Sequence, residues 1–138
     1  MSVQAYINFS GNCREAVEFY AETFHTDKPQ FMLFGDVQDT SGFGQEEATK
    51  DLVLHTYLMI SGSKVMFSDV PPGMPFLQGN NISLTVVSSD ENEVRSNYEK
   101  LKEGGTVNME LQQTFWSKCY GNLTDKFGIN WQLSLDSE

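Results

Sequence analysis

Three prolines within five residues divide this 138-residue chain near its middle. The segment reads Pro71-Pro72-Gly73-Met74-Pro75, and proline neither donates to a strand ladder nor fits inside a helix. We therefore interpret residues 71–79 as a connector within a single domain of residues 1–138. The stretches on either side, 1–70 and 80–138, must each supply their own strands and helix.

The first stretch has the element order β-α-β-β-β. Asn12 and Glu15 have the spacing of a capping box, and an apolar helix face follows them to a helix end near His25, whose side chain can meet the helix dipole. That face consists of Cys13, Ala16, Val17, Tyr20 and Phe24. Strands are predicted at residues 3–9, 31–37, 52–60 and 64–70, and a polar loop at 38–51.

The second stretch repeats this order. Asp90 has the position of a helix cap, and Val94, Tyr98 and Leu101 follow at helical spacing before the glycine pair at 104–105. Strands are predicted at residues 81–87, 107–111, 118–124 and 129–135. The repeat predicts an α+β fold in which two βαβββ modules form one curved mixed sheet. The helices cover its outer face, and the other face forms a concave cup.

Composition and charge exclude several classes of function. Lys and Arg number 9 against 19 Asp and Glu, a net charge of −10 that repels phosphate backbones, so neither nucleic acid nor a membrane is expected as a partner. The N-terminus lacks the pattern of a secretory signal, and no apolar run is long enough to span a bilayer. Cys13 and Cys119 form no CxxC motif, so reduced thiols in the cytoplasm are expected.

Few side chains in the sequence are obvious candidates for chemistry. His55 lies mid-strand and shares a strand face with Tyr57 and Met59. It is a general base, a group that orients a ligand in the cup, or a half-buried histidine bonded to a neighbouring strand or helix. Asp69 and Asp125 end strands, where turn and capping roles are expected.

Several segments, in their order along the chain, resemble PhnB-like proteins. They are Tyr6–Ala16 with Phe19-Tyr20, Leu54-His55-Thr56, Met66–Asp69, Thr114-Phe115-Trp116 and Tyr120–Trp131. PhnB-like proteins belong to the glyoxalase, bleomycin-resistance and extradiol-dioxygenase superfamily, also called vicinal oxygen chelate proteins. The resemblance implies paired βαβββ modules and a homodimer.

The resemblance also implies a divalent metal held by His, Glu or Gln from two strands of each module. The corresponding positions here are Ala5, Phe67, Asn81 and Gln132, and a one-residue shift would substitute Gln4 or Met66. The side chains of alanine and phenylalanine have no atom that binds a metal, and neutral amides bind divalent ions weakly. We therefore expect no cofactor, with a divalent metal as the alternative.

Some relatives carry the description of a ubiquinone-pathway methyltransferase. A methyl donor such as S-adenosylmethionine often binds a glycine-rich turn between a strand and a helix. Gly11 stands alone between the first strand and helix here, so the residues give methyl transfer no support.

The residues expected to line the cup come from both modules. They are His55, Tyr57, Phe67, Asn81, Trp116, Tyr120 and Gln132. Asn81 and Gln132 either bind a ligand or bond each other. Trp116 and Tyr120, with Phe115, either close the cup or pack in a core or dimer interface, and Trp131 is expected in the core.

Three functions follow from this set. The first is metal-free binding of a small molecule in an aromatic-lined cup. The second is a metal-dependent or His55-assisted enzyme, a lyase, isomerase or dioxygenase acting on a small oxygen-rich compound. The third is an interaction role for a cup that its own side chains fill.

Overall fold

The structure, a computed structural model, describes residues 1–36, 47 and 49–136. The chain divides into two compact units, Met1–Leu77 and Gln78–Glu138. The division falls inside the segment interpreted as the connector, and each unit holds the elements of one module.

The first module contains one helix and four strands. They are β1 (Ala5–Phe9), α1 (Cys13–Phe24), β2 (Met32–Leu33), β3 (Val53–Ile60) and β4 (Ser63–Asp69). The sheet order is β1-β4-β3-β2, with β1 parallel to β4 and the other pairs antiparallel.

The second module repeats this topology. Its elements are β5 (Ser83–Ser88), α2 (Glu91–Leu101), β6 (Thr106–Gln112), β7 (Tyr120–Thr124) and β8 (Asn130–Leu135). The sheet order is β5-β8-β7-β6, and β5 is parallel to β8. The predicted α+β fold of two βαβββ modules is confirmed. One detail differs: the described strands pair within their own module, giving two four-stranded sheets where one curved sheet was predicted.

Each helix packs on its own sheet and forms a core there. In the first module, Tyr20 of α1 stacks on Phe67 of β4, which also stacks on Phe9 of β1. In the second module, Trp131 and Tyr98 are buried together with neighbouring leucines. The predicted core position of Trp131 is confirmed.

The two helices begin differently. Asp90 caps α2 as predicted, because its side chain accepts a hydrogen bond from the Asn92 backbone N–H. Asn12 is the N-cap residue of α1 as predicted, and its carbonyl accepts from the Ala16 N–H, but its side chain makes no capping bond, so that part of the prediction is wrong. A carboxylate oxygen of Asp69 takes its place and accepts from the Cys13 N–H at 3.0 Å. The helix ends at Phe24, and His25 adopts a left-handed conformation with φ 53°.

Strand β2 is shorter than the predicted strand at 31–37. It ends at Leu33 because the Asp36 side chain accepts from the Leu33 N–H and a 3-10 helix, Phe34–Asp36, follows. Val37 and most of the predicted loop at 38–51 lie outside the described residues.

Two strands of the second module start two residues later than predicted. Strand β5 starts at Ser83, and β7 starts at Tyr120 because a turn at Ser117 precedes it, where the Ser117 hydroxyl accepts from the Cys119 N–H. Neither helix in the described part of the chain is long and apolar enough to cross a membrane.

Candidate functional site

One side of each sheet packs against its own helix; we call the other side the open face. Phe67 is fully buried, with its ring centroid 5.9 Å from that of Tyr20 on α1. Successive side chains of a strand point to opposite sides. Met66 therefore lies on the first open face, with its register partners Tyr6 of β1 and Tyr57 of β3.

His55 lies on this first open face, two residues before Tyr57. Its Nδ1 is 3.3 Å from the hydroxyl of Tyr6, and the two ring centroids are 5.8 Å apart. The contact holds the imidazole from one side. The described residues show no hydrogen-bond partner for Nε2.

Tyr57 and Met59 continue the same face along β3. Tyr57 is 48% exposed, and the Lys64 ammonium lies 4.5 Å from its ring centroid. Met59 is also exposed, so the predicted alternation of His55, Tyr57 and Met59 is confirmed. The face offers aromatic and thioether surface beside one imidazole.

Phe67 and Ala5 lie on the other side of the first sheet. Phe67 fills the space between the sheet and α1, and it is not placed to contact a molecule on the open face. Ala5 shares its side with Ile7. The predicted cup positions of Phe67 and Ala5 are thus corrected by one residue to Met66 and Tyr6, because a one-residue shift turns a strand's side chains over.

The second open face is organised around Gln132. Its neighbour Trp131 is buried against the helix side, so Gln132 lies on the open face. The Tyr120 hydroxyl donates to Gln132 Oε1 at 2.6 Å, and Gln132 Nε2 donates to Ser83 Oγ at 2.7 Å. Both ends of the amide are therefore held.

Tyr120 and Asn122 extend this polar network along β7. The Asn122 amide nitrogen lies 3.5 Å from the Tyr120 oxygen, and Asn122 is the register partner of Gln132. We call Ser83, Tyr120, Asn122 and Gln132 the amide network. It brings four neutral polar side chains together on one face of the second sheet, and bonds of 2.6 and 2.7 Å hold Tyr120, Gln132 and Ser83 there.

Asn81 is not part of the amide network. It is exposed and precedes β5, and the β5 residue whose side chain accepts a hydrogen bond from Gln132 is Ser83. The prediction that Asn81 and Gln132 could bond each other is therefore wrong. Strand β5 begins two residues later than predicted, so the position that bonds Gln132 is Ser83 and not Asn81.

An aromatic pair adjoins the amide network. Trp116 meets Tyr120 edge-on at a centroid distance of 5.2 Å and Phe115 at 4.7 Å. Trp116 is 50% exposed and Phe115 is 98% exposed, whereas Tyr120 is buried. The site thus combines an accessible indole ring with polar groups that are fixed in place.

The side chains on these faces do not fit the metal that the superfamily implies. The described residues hold no group of three His, Cys, Asp or Glu that could bind one ion. On the first face His55 has a phenol and methionines as neighbours, and on the second the Gln132 amide is engaged at both ends. Divalent ions of the Mg, Mn and Zn class prefer carboxylate, imidazole or thiolate ligands.

Asp69 and Asp125 have the structural roles that the sequence predicted. Asp69 accepts backbone N–H bonds at the start of α1 and of β3. Asp125 accepts from the backbone N–H groups of Phe127 and Ile129 and from the Trp131 indole at 2.8 Å. These carboxylates are buried and occupied.

Sequence reasoning missed three residues of the open faces. Alternation along β1 places Tyr6 and Asn8 on one face of the strand. Tyr6 could have been found from this pattern if His55 had been known to lie on the same side of the sheet. Ser83 and Asn122 carried no such signal, because serine and asparagine are also common in turns.

Comparison with known proteins agrees with this architecture. The four-stranded sheet and single helix of each module are those of the PhnB-like fold. A family model described as 3-demethylubiquinone-9 3-methyltransferase matches residues 2–134, and the chain belongs to this family.

Three similar proteins cover nearly the whole chain. Protein YjdN of Escherichia coli is 28% identical, over 98% of this chain and 95% of YjdN. The solved structure of protein PA1353 from Pseudomonas aeruginosa is 28% identical, with a TM-score of 0.87, over 99% of this chain and 98% of that one. A PhnB protein from Bacillus cereus, described as a putative 3-demethylubiquinone-9 3-methyltransferase, is 28% identical, with a TM-score of 0.76, over 98% and 99%.

Proposed function

We propose that this protein binds a small molecule on its open faces without a divalent metal, and that Trp116 and the amide network form the principal binding surface. The observation that carries the proposal is the half-exposed indole of Trp116 against Tyr120, whose hydroxyl donates to a Gln132 amide held at both ends. Binding sites for small molecules combine apolar and aromatic walls with a few polar groups fixed in position.

The exposure of the rings favours binding over an interaction role for a filled face. Trp116 and Tyr57 each leave about half of their surface accessible. Covering such an accessible aromatic ring with a ligand is favourable, by about 25 cal/mol per Å² of apolar area buried.

The experiment is a titration of ¹⁵N-labelled protein with 2-ethylnaphthalene, followed through backbone and side-chain amide signals. We expect shifts at Trp116, Asn122 and Gln132 in the wild type and their loss in Trp116→Leu. Tyr57→Leu serves as the matched variant on the first open face. Shifts that survive Trp116→Leu but disappear in Tyr57→Leu would move the site to the first module, and no shifts in the wild type would contradict the proposal.

The metal-free part of the proposal has its own measurement. Untagged protein purified without chelator is analysed by elemental mass spectrometry. We expect each first-row divalent metal well below one ion per chain. About one ion per chain would overturn the metal-free proposal and support a metal-dependent enzyme.

A second candidate function is proton transfer by His55. The Tyr6 contact supports it, because it orients the imidazole and leaves Nε2 without a described partner. A base in that position would remove a proton next to a carbonyl of a small oxygen-rich substrate. The test is solvent deuterium incorporation into dihydroxyacetone, followed by NMR. Incorporation that His55→Gln abolishes would favour the enzyme, and none in the wild type would count against it.

The family description raises methyl transfer as a further activity to test. Adding S-adenosylmethionine to the same labelled protein provides the test. We expect no shifts, since Gly11 is the single glycine in the turn between β1 and α1. Saturable shifts would reopen the methyltransferase interpretation.

A further inference from the structure

We propose that the ligand of the second open face is an uncharged aromatic molecule with a hydrogen-bond acceptor, such as a carbonyl oxygen, which the Ser83 hydroxyl binds. This inference rests on the proposed function and specifies its ligand class. The hydrogen-bond directions within the amide network carry it.

The Gln132 amide sets these directions. Its Oε1 only accepts and lies 2.6 Å from the Tyr120 oxygen, so the Tyr120 hydroxyl donates its single hydrogen there. Its Nε2 only donates and lies 2.7 Å from Ser83 Oγ, so the Ser83 oxygen accepts. The assignment agrees with Asn122, whose amide nitrogen approaches the Tyr120 oxygen as a donor.

With these hydrogen-bond directions, two polar groups of the amide network have no partner among the described residues. The hydrogen of the Ser83 hydroxyl has no acceptor among the described residues, and Asn122 Oδ1 has no donor there. Hydrogen bonds in a chain polarise one another, so a hydroxyl that already accepts from Gln132 is a better donor. The open face therefore offers a donor at Ser83 and an acceptor at Asn122.

The charge of the ligand follows from the same four side chains. Ser83, Tyr120, Asn122 and Gln132 are neutral, and none of them compensates an ionic group that loses its water on binding. The chain's net charge of −10 also repels anions. Trp116, edge-on to Tyr120, supplies the aromatic surface. An uncharged ring system with a carbonyl matches the donor at Ser83, the neutral side chains and the aromatic surface of Trp116.

The test compares 2-acetylnaphthalene with 2-ethylnaphthalene, which differ in the carbonyl. Both are titrated into the ¹⁵N-labelled full chain, and the Gln132 and Asn122 side-chain amide signals are followed. We expect the wild type to bind the acetyl compound about two- to tenfold more tightly, the value of one net hydrogen bond. Ser83→Ala should abolish this preference while both compounds still bind.

Two variants control for structural effects. Ser134→Ala also replaces a serine of the second open face, but this serine lies on β8 and outside the amide network. This variant should keep the preference for the acetyl compound. Ser83→Thr retains a hydroxyl on a strand and should keep it as well. The dispersion of the amide spectrum checks that each variant is folded.

The outcomes separate this inference from the proposed function. Equal binding of both compounds by the wild type, or a preference that Ser83→Ala retains, would overturn the inference and leave the proposed function standing. Binding of neither compound would overturn both. Loss of the preference in Ser83→Ala alone would establish Ser83 as the group that selects the ligand.

Discussion

Asp69 links three parts of the first module through one buried side chain. Its Oδ1 accepts from the backbone N–H groups of Gly11 at 2.9 Å and Cys13 at 3.0 Å, and its Oδ2 accepts from Val53 N–H at 2.9 Å. The carboxylate thereby satisfies backbone donors that a helix start and a strand start leave unpaired.

We expect Asp69→Asn to lower the free energy of unfolding by about 3 kcal/mol, because an amide NH₂ replaces one accepting oxygen and faces a backbone donor. Urea unfolding measures the change. Asp90→Asn is the matched control, since asparagine also caps helices, and it should change stability by less than about 0.5 kcal/mol. Equal effects of the two variants would contradict this account of Asp69.

Cys13 makes stability depend on alkaline pH. Burial, and then the nearby Asp69 charge, raise the pKa of its thiol from 9.0 to about 12. Between these values the unfolded chain loses the proton and the folded chain keeps it, so the folded state becomes less stable as pH rises. We expect wild-type stability to fall by up to about 1.4 kcal/mol per pH unit more steeply than that of Cys13→Ala over this range. Urea midpoints at pH 8 and pH 10.5 test it, and parallel pH profiles would refute it.

At the scale of the elements, Gly121 allows β7 to pass beneath α2. A Cβ at this position would lie 2.9 Å from the Met109 carbonyl oxygen and 3.0 Å from the Tyr98 ring. We expect Gly121→Ala to cost about 1–3 kcal/mol, since backbone and a buried ring must move. Gly79→Ala, whose Cβ would meet only the Asn81 side chain at 3.5 Å, should be close to neutral. Thermal unfolding compares the two variants. An unchanged Tm in Gly121→Ala would contradict the close packing inferred at Gly121.

The sequence predicts the order of elements well and the strand faces less well. In β8 the apolar Trp131 stands next to the polar Gln132, so the sequence shows which side chains face the helix. The open-face position of Gln132 was therefore correctly predicted. In β4, Met66 and Phe67 are both apolar, so periodicity alone does not show which side meets the helix. The face then depends on the Tyr20 stacking, which is a contact between distant residues.

Capping was another partial success. The predicted cap at Asp90 is local, since its partner Asn92 is two residues away. The carboxylate that caps α1 lies 56 residues from Cys13, and a short-range pattern carries no information about it. The network around Gln132 is likewise long-range, because Ser83 is 49 residues away.

At the scale of the whole molecule, the prolines at 71, 72 and 75 and the repeated element order were sufficient to predict two modules of the same topology. The candidate residues are distributed over both modules, with His55 and Tyr57 on the first open face and Trp116, Tyr120 and Gln132 on the second. Each set now has a defined face and defined partners.

The family resemblance and two exposed apolar side chains near the connector lead us to propose a homodimer. Leu77 and Ile82 are 96% and 77% exposed and lie outside the amide network and its aromatic pair, and such exposure is unfavourable in water. Light scattering after size exclusion should give about twice 15.6 kDa. Because each chain carries −10, salt should strengthen the association by screening repulsion. A mass of one chain at all protein and salt concentrations tested would refute the dimer.

The bonds from Asp69 to Gly11 and Cys13 also have a consequence for how the chain is made. A ribosome synthesises α1 long before it reaches Asp69, which follows Gly11 by 58 residues. Until β4 has been synthesised, the backbone N–H groups at the start of α1 lack the carboxylate that accepts from them in the folded module and are left to water. The start of the first helix is therefore complete only when the last strand of the module is present.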